Sequence, residues 1–306
     1  MRLPSTKQLQ YFVALAEKQH FGQAAEASHV SQSAFSNAIK ELEIVLDTQL
    51  VDRTNRQVTI TAAGQDIATQ ARLVLRDIEQ LVDMAAQGRQ PLTGDLRLGV
   101  IPTIAPFILP RVLPRLRQQH PKLRLYLIED QTQRIVQRLI DGDLDVLLLA
   151  LPWEMRGVDT EVLFNDRFCL ATRKGTTWVD PENYRFDRLA ADSILLLEDG
   201  HCLRDHALAA CRIRSTQKVQ PFAASSLLTL VEMVDADMGI SFLPEMAAGS
   251  ALLRNTQVEM HPLSERSHRK IGLAWRKGSN RVDEFRLLGS FLKEAGATKG
   301  PRKNGE

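Results

Sequence analysis

The residues of this 306-residue chain with the clearest capacity for chemistry are two cysteines, Cys202 and Cys211, that lie nine positions apart. Cys202 follows His201 and precedes Arg204 by two positions, so nearby positive charge can stabilise the thiolate, the form of cysteine that attacks peroxides and disulfides. If residues 203–210 form a helix, the two thiols are about 13–14 Å apart along its axis, whereas a disulfide needs Cα atoms within about 7 Å. A disulfide with Cys211 as the resolving thiol would therefore reshape the segment, which predicts a redox switch.

A second interpretation of these cysteines stays open at this point. Free cysteines are commonly buried and inert, and Glu198, Asp199 and Asp205 bring negative charge that opposes thiolate formation. The third cysteine, Cys169, has apolar neighbours in an alternating pattern, so we interpret it as a core residue without a redox role.

An enzyme with Cys202 as nucleophile and His201 as base is disfavoured, because adjacent residues rarely place their side chains within hydrogen-bonding reach on an ordered strand or helix. The chain has no Cys-x-x-Cys motif, no Gly-x-Gly-x-x-Gly fingerprint and no Gly-Lys-Ser/Thr phosphate loop. His201, Cys202 and His206 lack a fourth ligand at recognisable spacing, so we expect neither a bound metal nor a cofactor.

Length and composition indicate an ordinary globular protein of two or three domains. The hydrophobic fraction is 44%, the charged fraction is 25% and the net charge is +2, which points to no particular partner. The first eight residues lead into an amphipathic pattern rather than an apolar one, so we expect no signal peptide and a cytoplasmic protein. No apolar run reaches the roughly 18–20 residues of a membrane span.

The amino-terminal pattern predicts a helix-turn-helix with a wing. Helices are predicted over residues 6–19, 21–27 and 33–46, and two short strands over 50–53 and 56–61. In the third helix Ala34, Ile39, Leu42 and Leu46 can face inward. Polar and basic residues that can contact phosphates and base edges lie outside, in the third helix, just before it and at the wing: Ser31, Gln32, Ser33, Ser36, Asn37, Lys40, Arg53 and Arg56. A structural helical domain with a polar face remains an alternative, since residues 1–64 hold six basic and six acidic side chains.

A long apolar stripe follows from Gly64 to about Ala86, without proline or glycine inside, and predicts a helix that pairs with a second copy of itself. The pattern breaks before Gly94. We therefore divide the chain into a DNA-binding domain (1–64), a dimerising linker helix and hinge (65–92), a regulatory domain (93–298) and a disordered tail (299–306).

The regulatory segment alternates strands and helices, which predicts two α/β lobes built on parallel sheets with a ligand-binding cleft. The first lobe holds strands near 96–101, 123–127 and 145–151. The second holds strands near 168–172, 193–197, 240–243 and 258–260. A late strand at 270–275 and a helix at 282–292 can return to the first lobe.

The amino-terminal residues resemble those of the LysR-type transcriptional regulators. The resemblance runs through the segments 12–17, 24–25, 30–36, 39–43 and 61–64, which spell FVALAE, AA, VSQSAFS, IKELE and TAAG. The carboxy-terminal part is similar to the peroxide-sensing members of that family through Ile101-Pro102-Thr103, residues 197–205, Cys211 and residues 225–244. The family usually has a proline at Ser33 and a glutamine near Ala38, so operator preference is expected to differ.

This resemblance implies a winged helix-turn-helix joined by a long helix to a regulatory domain like periplasmic binding proteins. It implies a regulator of oxidative-stress genes with Cys202 as the peroxidatic thiol and Cys211 as the resolving one. Thr103, Thr132 and His201 would position peroxide, with Arg204 and Asp205 as supporting residues.

The partners implied are promoter DNA, RNA polymerase, a homotetramer built as a dimer of dimers, and glutaredoxin or thioredoxin as reductant. The alternative is a LysR-type regulator that binds a small organic effector in the interlobe cleft, with both cysteines merely packed. The two differ in their dependence on the Cys202 thiol.

Overall fold

The computed structural model describes residues 3–53, 58–87, 91–183, 189–210 and 216–297. Two compact units result. The first contains the described residues up to Gln87, and the second contains most of the chain from Pro91 onward.

The first unit is a helix-turn-helix with a wing. Its elements are α1 (Thr6–Lys18), α2 (Phe21–Ala27), α3 (Gln32–Leu46), β1 (Val51–Arg53), β2 (Val58–Ile60) and α4 (Ala62–Gln87). Ser5 caps α1 in a reciprocal capping box with Gln8. His29 takes a positive φ of 55° in the turn between α2 and α3. β1 and β2 pair antiparallel, which confirms the two-stranded wing.

The core of this unit forms around Phe12, Leu15, Phe35, Ile39 and Leu42, all fully buried. Phe35 stacks on Tyr11 with ring centroids 5.1 Å apart and meets Phe21 edge-on at 6.2 Å. The expectation that Ala34 faces inward is wrong, because Ala34 is exposed and its neighbour Phe35 occupies the inward position.

The second unit contains a seven-stranded sheet with neighbours in the order β10-β6-β11-β5-β3-β4, and β9 pairs with β6 off this path. A separate pair is formed by β7 and β8. The strands are β3 (Gly94–Val100), β4 (Leu123–Glu129), β5 (Val146–Leu151), β6 (Val158–Arg173), β7 (Ile194–Leu197), β8 (Val219–Ala224), β9 (Ser241–Pro244), β10 (Val258–Pro262) and β11 (His268–Arg276).

The helices of this unit are α5 (Ala105–Gln119), α6 (Thr132–Ile140), α7 (Cys202–Ala210), α8 (Leu227–Asp235) and α9 (Val282–Ala297). Short 3-10 turns cover Thr216–Lys218, Glu245–Ala247 and Ala251–Leu253. The helix that was supposed over residues 203–210 is present as α7, and it begins at the cysteine itself.

The expectation of parallel sheets is only partly correct. β3 pairs parallel with β4 and with β5, but β11 runs antiparallel to both β5 and β6. The chain enters β11 from the second lobe and returns to the first, so the strand runs against its neighbours. This return confirms the predicted closure of the first lobe by the late strand.

Two hydrophobic cores define the two lobes of this unit, and β6 belongs to both. Leu163 lies in the core around β3, β5 and β11, whereas Phe168 and Leu170 lie in the core around β7, β8 and β9. Within α7, Cys202 packs in the first core while Leu203 and Ala207 pack in the second. The amino-terminal turn of α7 therefore lies where the lobes meet.

No helix in the described ranges is long and apolar enough to span a bilayer.

Replacing Phe35 by Ala should lower the free energy of unfolding of the helix-turn-helix unit by about 3–5 kcal/mol, because a fully buried ring and two aromatic contacts are removed. Urea denaturation followed by circular dichroism measures the change. The neighbouring exposed Ala34→Ser variant is the control and should unfold close to the parent; an equal loss in both variants would contradict the assigned inward face.

Candidate functional site

The site centres on the first residue of α7. Cys202 is 3% exposed and is preceded by a turn in which Gly200 adopts a φ of +96°. That conformation favours glycine, and a Cβ at this position would also approach Gln131 Oε1 to 2.8 Å. Gln131 in turn donates from Nε2 to Glu198 at 3.4 Å, which ties the start of α6 to the loop before the cysteine.

The surroundings of Cys202 favour the protonated thiol at rest. Burial raises the pKa of the thiol above its usual value, and the charge of Asp205 acts in the same direction. Three groups act in the opposite direction and lower it: the charge of Arg269, the side chain of Thr132 and a backbone hydrogen bond at Ala150. The thiol is therefore held mostly un-ionised beside groups that favour its negative charge.

Thr132, the first residue of α6, provides a hydroxyl that acts on the Cys202 thiol. Its Oγ1 is buried and has no hydrogen-bond partner among the described residues while Cys202 is neutral. The ionised thiol is the acceptor through which Thr132 lowers the pKa of Cys202. A buried hydroxyl without a partner is uncommon and costs free energy. It is available to a thiolate or to a small molecule beside Cys202.

A buried ion pair supplies the positive charge. The Arg269 side chain is 0% exposed and donates from Nε to Asp166 Oδ2 at 2.9 Å, and the Asp166 side chain is 3% exposed. The other nitrogens of Arg269 donate to Thr103, from Nη1 to Oγ1 at 2.8 Å and from Nη2 to the carbonyl at 2.9 Å. The Met246 N–H donates to Asp166 Oδ1 at 3.2 Å, and burial raises the pKa of Asp166 despite its cationic partner.

The structure brings together four of the residues singled out from the sequence. Thr132 lies beside Cys202, and Thr103 accepts a hydrogen bond from Arg269, whose charge acts on the Cys202 thiol. His201 is buried and directly precedes Cys202 in the chain. His201 Nε2 lies 3.9 Å from Glu198 Oε1, a long contact that directs the ring toward that carboxylate.

Arg204 and Asp205 do not stabilise the Cys202 thiolate in the structure. The Arg204 guanidinium pairs with Asp199 at 3.2 Å and donates to the Leu197 carbonyl at 3.3 Å, so Arg269 is the cation that lowers the pKa of Cys202. Asp205 is exposed, and its charge raises that pKa.

Cys211 and the residues after it to 215 lie outside the described residues, so its pairing stays a prediction. Cys169 is buried in β6, where burial raises the pKa of its thiol to about 12. This environment agrees with a core residue.

Sequence reasoning missed Arg269 and Asp166. Both are distant from Cys202 in the chain, and Arg269 lies in a run of polar and basic residues, Ser267 to Lys270, that reads as a surface segment. The available signal was strand register, because Arg269 lies two residues before Ile271 and four before Leu273, both fully buried, and therefore on the same face of β11.

The predicted DNA contacts lie at the start of α3 and before it. Ser31 is the amino-terminal cap, accepts from the Ala34 N–H at 3.3 Å and lies 3.2 Å from the Ser33 hydroxyl. Gln32, Ser33, Asn37 and Lys40 are exposed, and Ser36 is half-buried. The Arg53 side chain and Arg56 lie outside the described residues.

The described residues contain no cluster of three or more histidine, cysteine, aspartate or glutamate side chains that could hold a metal ion.

Two family descriptions match the chain. Residues 6–65 match the bacterial regulatory helix-turn-helix protein, lysR family, and residues 89–297 match the LysR substrate binding domain.

Similar proteins cover nearly the whole chain. The HTH-type transcriptional regulator EstR of Acinetobacter baylyi is 40% identical over 297 residues, covering 97% of this chain and 98% of that protein. The DNA-binding transcriptional dual regulator OxyR of Escherichia coli K12 is 40% identical over 287 residues, covering 94% of each. A protein of another E. coli strain, described as hydrogen peroxide-inducible genes activator, has the same identity and coverage. A solved structure of a full-length OxyR variant from Pseudomonas aeruginosa superimposes with a TM-score of 0.79 at 30% identity and covers 100% of both chains.

Replacing Thr132 by Val should slow alkylation of Cys202 by iodoacetamide about 3- to 10-fold at a fixed pH of 8–9, because the thiolate loses a hydrogen bond and its pKa rises further. The rate is measured by mass spectrometry of the Cys202 peptide. In both proteins the rate should increase with pH, since the raised pKa means that thiolate accumulates only under alkaline conditions.

The matched control is Thr172→Val, which removes a buried hydroxyl that contacts His261 Nε2 at 3.4 Å instead of the thiol. This control should alkylate at the parent rate. An unchanged or faster rate in Thr132→Val would remove Thr132 from the site.

Proposed function

Because the chain belongs to the LysR family of bacterial transcriptional regulators, we propose that it is a DNA-binding regulator of oxidative-stress genes switched by hydrogen peroxide at Cys202. The observation that carries this proposal is the burial of the Cys202 thiol between an unpaired Thr132 hydroxyl and the Arg269–Asp166–Thr103 network. The relatives described as OxyR and as hydrogen peroxide-inducible genes activator support it.

The first chemical step is attack of the Cys202 thiolate on one peroxide oxygen. An S–O bond forms, the O–O bond breaks, and the departing hydroxide takes a proton to leave as water, which gives Cys202 sulfenic acid. Arg269 stabilises the negative charge on sulfur before attack and on oxygen afterwards. Thr132 can donate its free hydroxyl proton to the reacting oxygens, and Thr103 holds the Arg269 guanidinium in place.

The second step is condensation of the sulfenic acid with the Cys211 thiol, which forms the disulfide and releases water. Residues 202 and 210 are the ends of α7, so their Cα atoms are about 12 Å apart by helical rise. Consecutive Cα atoms are about 3.8 Å apart, so while α7 is intact the Cα atom of residue 211 stays at least about 8 Å from that of residue 202. This distance is beyond the reach of a disulfide. Oxidation therefore requires α7 to unwind, and the unwinding is the signal.

The output is binding to promoter DNA through α3 and the wing, with Ser31, Gln32, Ser33, Ser36, Asn37 and Lys40 of the helix-turn-helix and Arg53 and Arg56 of the wing as the contacts. A homotetramer, contact with RNA polymerase and reset by glutaredoxin or thioredoxin complete the proposal. The site of action is the cytoplasm.

A second candidate function is regulation by a small organic effector with inert cysteines. The observation that favours it is the similarity to EstR, whose description names no peroxide and which covers 97% of the chain at the same 40% identity as the OxyR relative. The raised pKa of the buried Cys202 thiol agrees with this candidate as well.

Treatment of the reduced full-length protein with one equivalent of hydrogen peroxide should join Cys202 to Cys211 within minutes. Digestion without reductant and mass spectrometry detects the linked peptide. Cys202→Ser should lose both the linkage and activation by peroxide, while Cys169→Ser keeps both. Thiols that stay intact in the parent protein would favour the small-effector regulator.

The linker helix should join two copies. In α4 the side chains of Leu81 and Val82 are 67% and 59% exposed, which leaves apolar surface for a second copy. Leu81→Glu should raise the dimer dissociation constant at least about tenfold, since burial of a leucine contributes about 1.5–3 kcal/mol. Analytical ultracentrifugation measures it, with Gln70→Glu as a control that adds the same charge to an exposed position of α4; equal constants in both variants would refute the apolar contact.

A further inference from the structure

The side chain of Met246 has no part in the proposed chemistry, although it contacts the guanidinium on which that chemistry depends. Met246 lies in the 3-10 turn Glu245–Ala247, directly after β9. Its backbone N–H donates to Asp166 Oδ1 at 3.2 Å, and its thioether sulfur lies 3.9 Å from Arg269 Nη2. One residue therefore contacts both members of the buried ion pair, and its sulfur faces the cation that acts on Cys202.

The thioether lies beside the groups that surround the reacting thiol, and it is not fully enclosed. Met246 is half-buried and packs against both hydrophobic cores of the regulatory unit. Arg269 Nη2, which contacts the sulfur, also donates to the Thr103 carbonyl at 2.9 Å. Two sulfur atoms, the Cys202 thiol and the Met246 thioether, thus lie near one guanidinium, and peroxide can oxidise both kinds.

We propose that the Met246 thioether is a second oxidation site, which excess peroxide converts to the sulfoxide. A lone pair of the sulfur attacks one peroxide oxygen, so that an S–O bond forms and the O–O bond breaks. The proton on the attacked oxygen moves to the departing hydroxide, which leaves as water. The sulfur loses two electrons and the peroxide gains them. The step is slower than oxidation of Cys202, because a thioether cannot ionise to a thiolate.

Arg269 favours both this reaction and its product. Its Nη2 N–H is close enough to the sulfur to donate to the departing hydroxide, on which negative charge develops. The thioether sulfur is a weak acceptor, whereas the sulfoxide is polar and its oxygen accepts hydrogen bonds well. Oxidation therefore replaces a weak contact between Met246 and Arg269 by a stronger one.

The sulfoxide acts on Cys202 through Arg269. The negative end of the S–O dipole, placed beside the guanidinium, opposes the stabilisation that Arg269 gives to the thiolate. The polar product also weakens the packing of Met246 against the two cores. This consequence rests on the proposed function: protein that has met excess peroxide is a less sensitive switch until a methionine sulfoxide reductase restores the thioether.

Oxidation of the full-length Cys202→Ser variant tests the modification without the thiol. Hydrogen peroxide is added at millimolar concentration, and mass spectrometry with fragmentation of the peptides localises each added oxygen. Met246 should be oxidised at least about threefold faster than Met260, because Arg269 contacts Met246 and assists the departing hydroxide. Met260 is the matched reference, since it is also half-buried and packs against the second core. A rate at Met246 equal to or below that at Met260 would overturn the proposal.

The effect on Cys202 is measured on protein that still carries the thiol. The parent is oxidised with excess peroxide and then treated with dithiothreitol, which reduces disulfides but leaves methionine sulfoxide. Alkylation of the recovered Cys202 thiol by iodoacetamide at a fixed alkaline pH should be about 3- to 10-fold slower than in untreated protein, because less thiolate is present. Met246→Leu should keep the rate of its own untreated sample. Met260→Leu is the control and should be slowed as the parent is.

Equal slowing in the parent and in Met246→Leu would reject the action of Met246 on the thiol, as would a Met246 sulfoxide that leaves the alkylation rate unchanged. The outcome is separable from that of the proposed function. Met246 sulfoxide and a slowed thiol without a Cys202–Cys211 disulfide would leave the oxidation site assigned and the peroxide switch rejected. A disulfide that forms while Met246 stays a thioether under excess peroxide would reject the oxidation site alone.

Discussion

The buried ion pair between Arg269 and Asp166 is the interaction on which the regulatory unit depends. Two charges removed from water are tolerated only when each has close partners. Here Thr103 accepts hydrogen bonds from the remaining nitrogens of Arg269, and the Met246 N–H donates to the other oxygen of Asp166. The network connects β11, β6, the turn after β3 and the turn after β9. Loss of either Arg269 or Asp166 would leave an uncompensated buried charge, which costs about 3–5 kcal/mol in comparable cases. The same cation that joins these elements also acts on the thiol, so architecture and chemistry share one side chain.

The thiol is held between opposing influences. Burial favours the neutral form, while Arg269 and Thr132 favour the anion, and the neutral form prevails at rest. A fully ionised thiol would react with many oxidants, so the neutral resting form limits unspecific oxidation of Cys202. Arg269 and Thr132 are already in position to stabilise negative charge beside the thiol. A small neutral molecule that enters this enclosed site and reacts there therefore does not have to reorganise them.

Local features of the chain were predictable from the sequence, and contacts between distant segments were not. The winged helix-turn-helix follows from short-range patterns. Thr103 and Thr132 were identified only through the family resemblance, because the sequence does not show which group a hydroxyl near the start of a helix will contact. Arg269 was missed because its partners, Asp166 and Thr103, lie 103 and 166 positions away in the chain. The antiparallel entry of β11 was missed for a related reason, since alternating strands and helices indicate parallel pairing and say nothing of a strand that returns from another lobe.

β6 is a single strand of 16 residues that pairs with β11 in the first lobe and with β9 and β10 in the second. The lobes are thus connected by continuous sheet rather than by a flexible tether. A hinge made of loose chain would absorb a local rearrangement, but an extended strand that is hydrogen-bonded along its length resists bending and can relax mainly by twisting. α7 packs against both cores, so a change in its length or packing would act on both lobes. Because β6 is shared, the lobes would adjust mainly by a change in the twist of this strand.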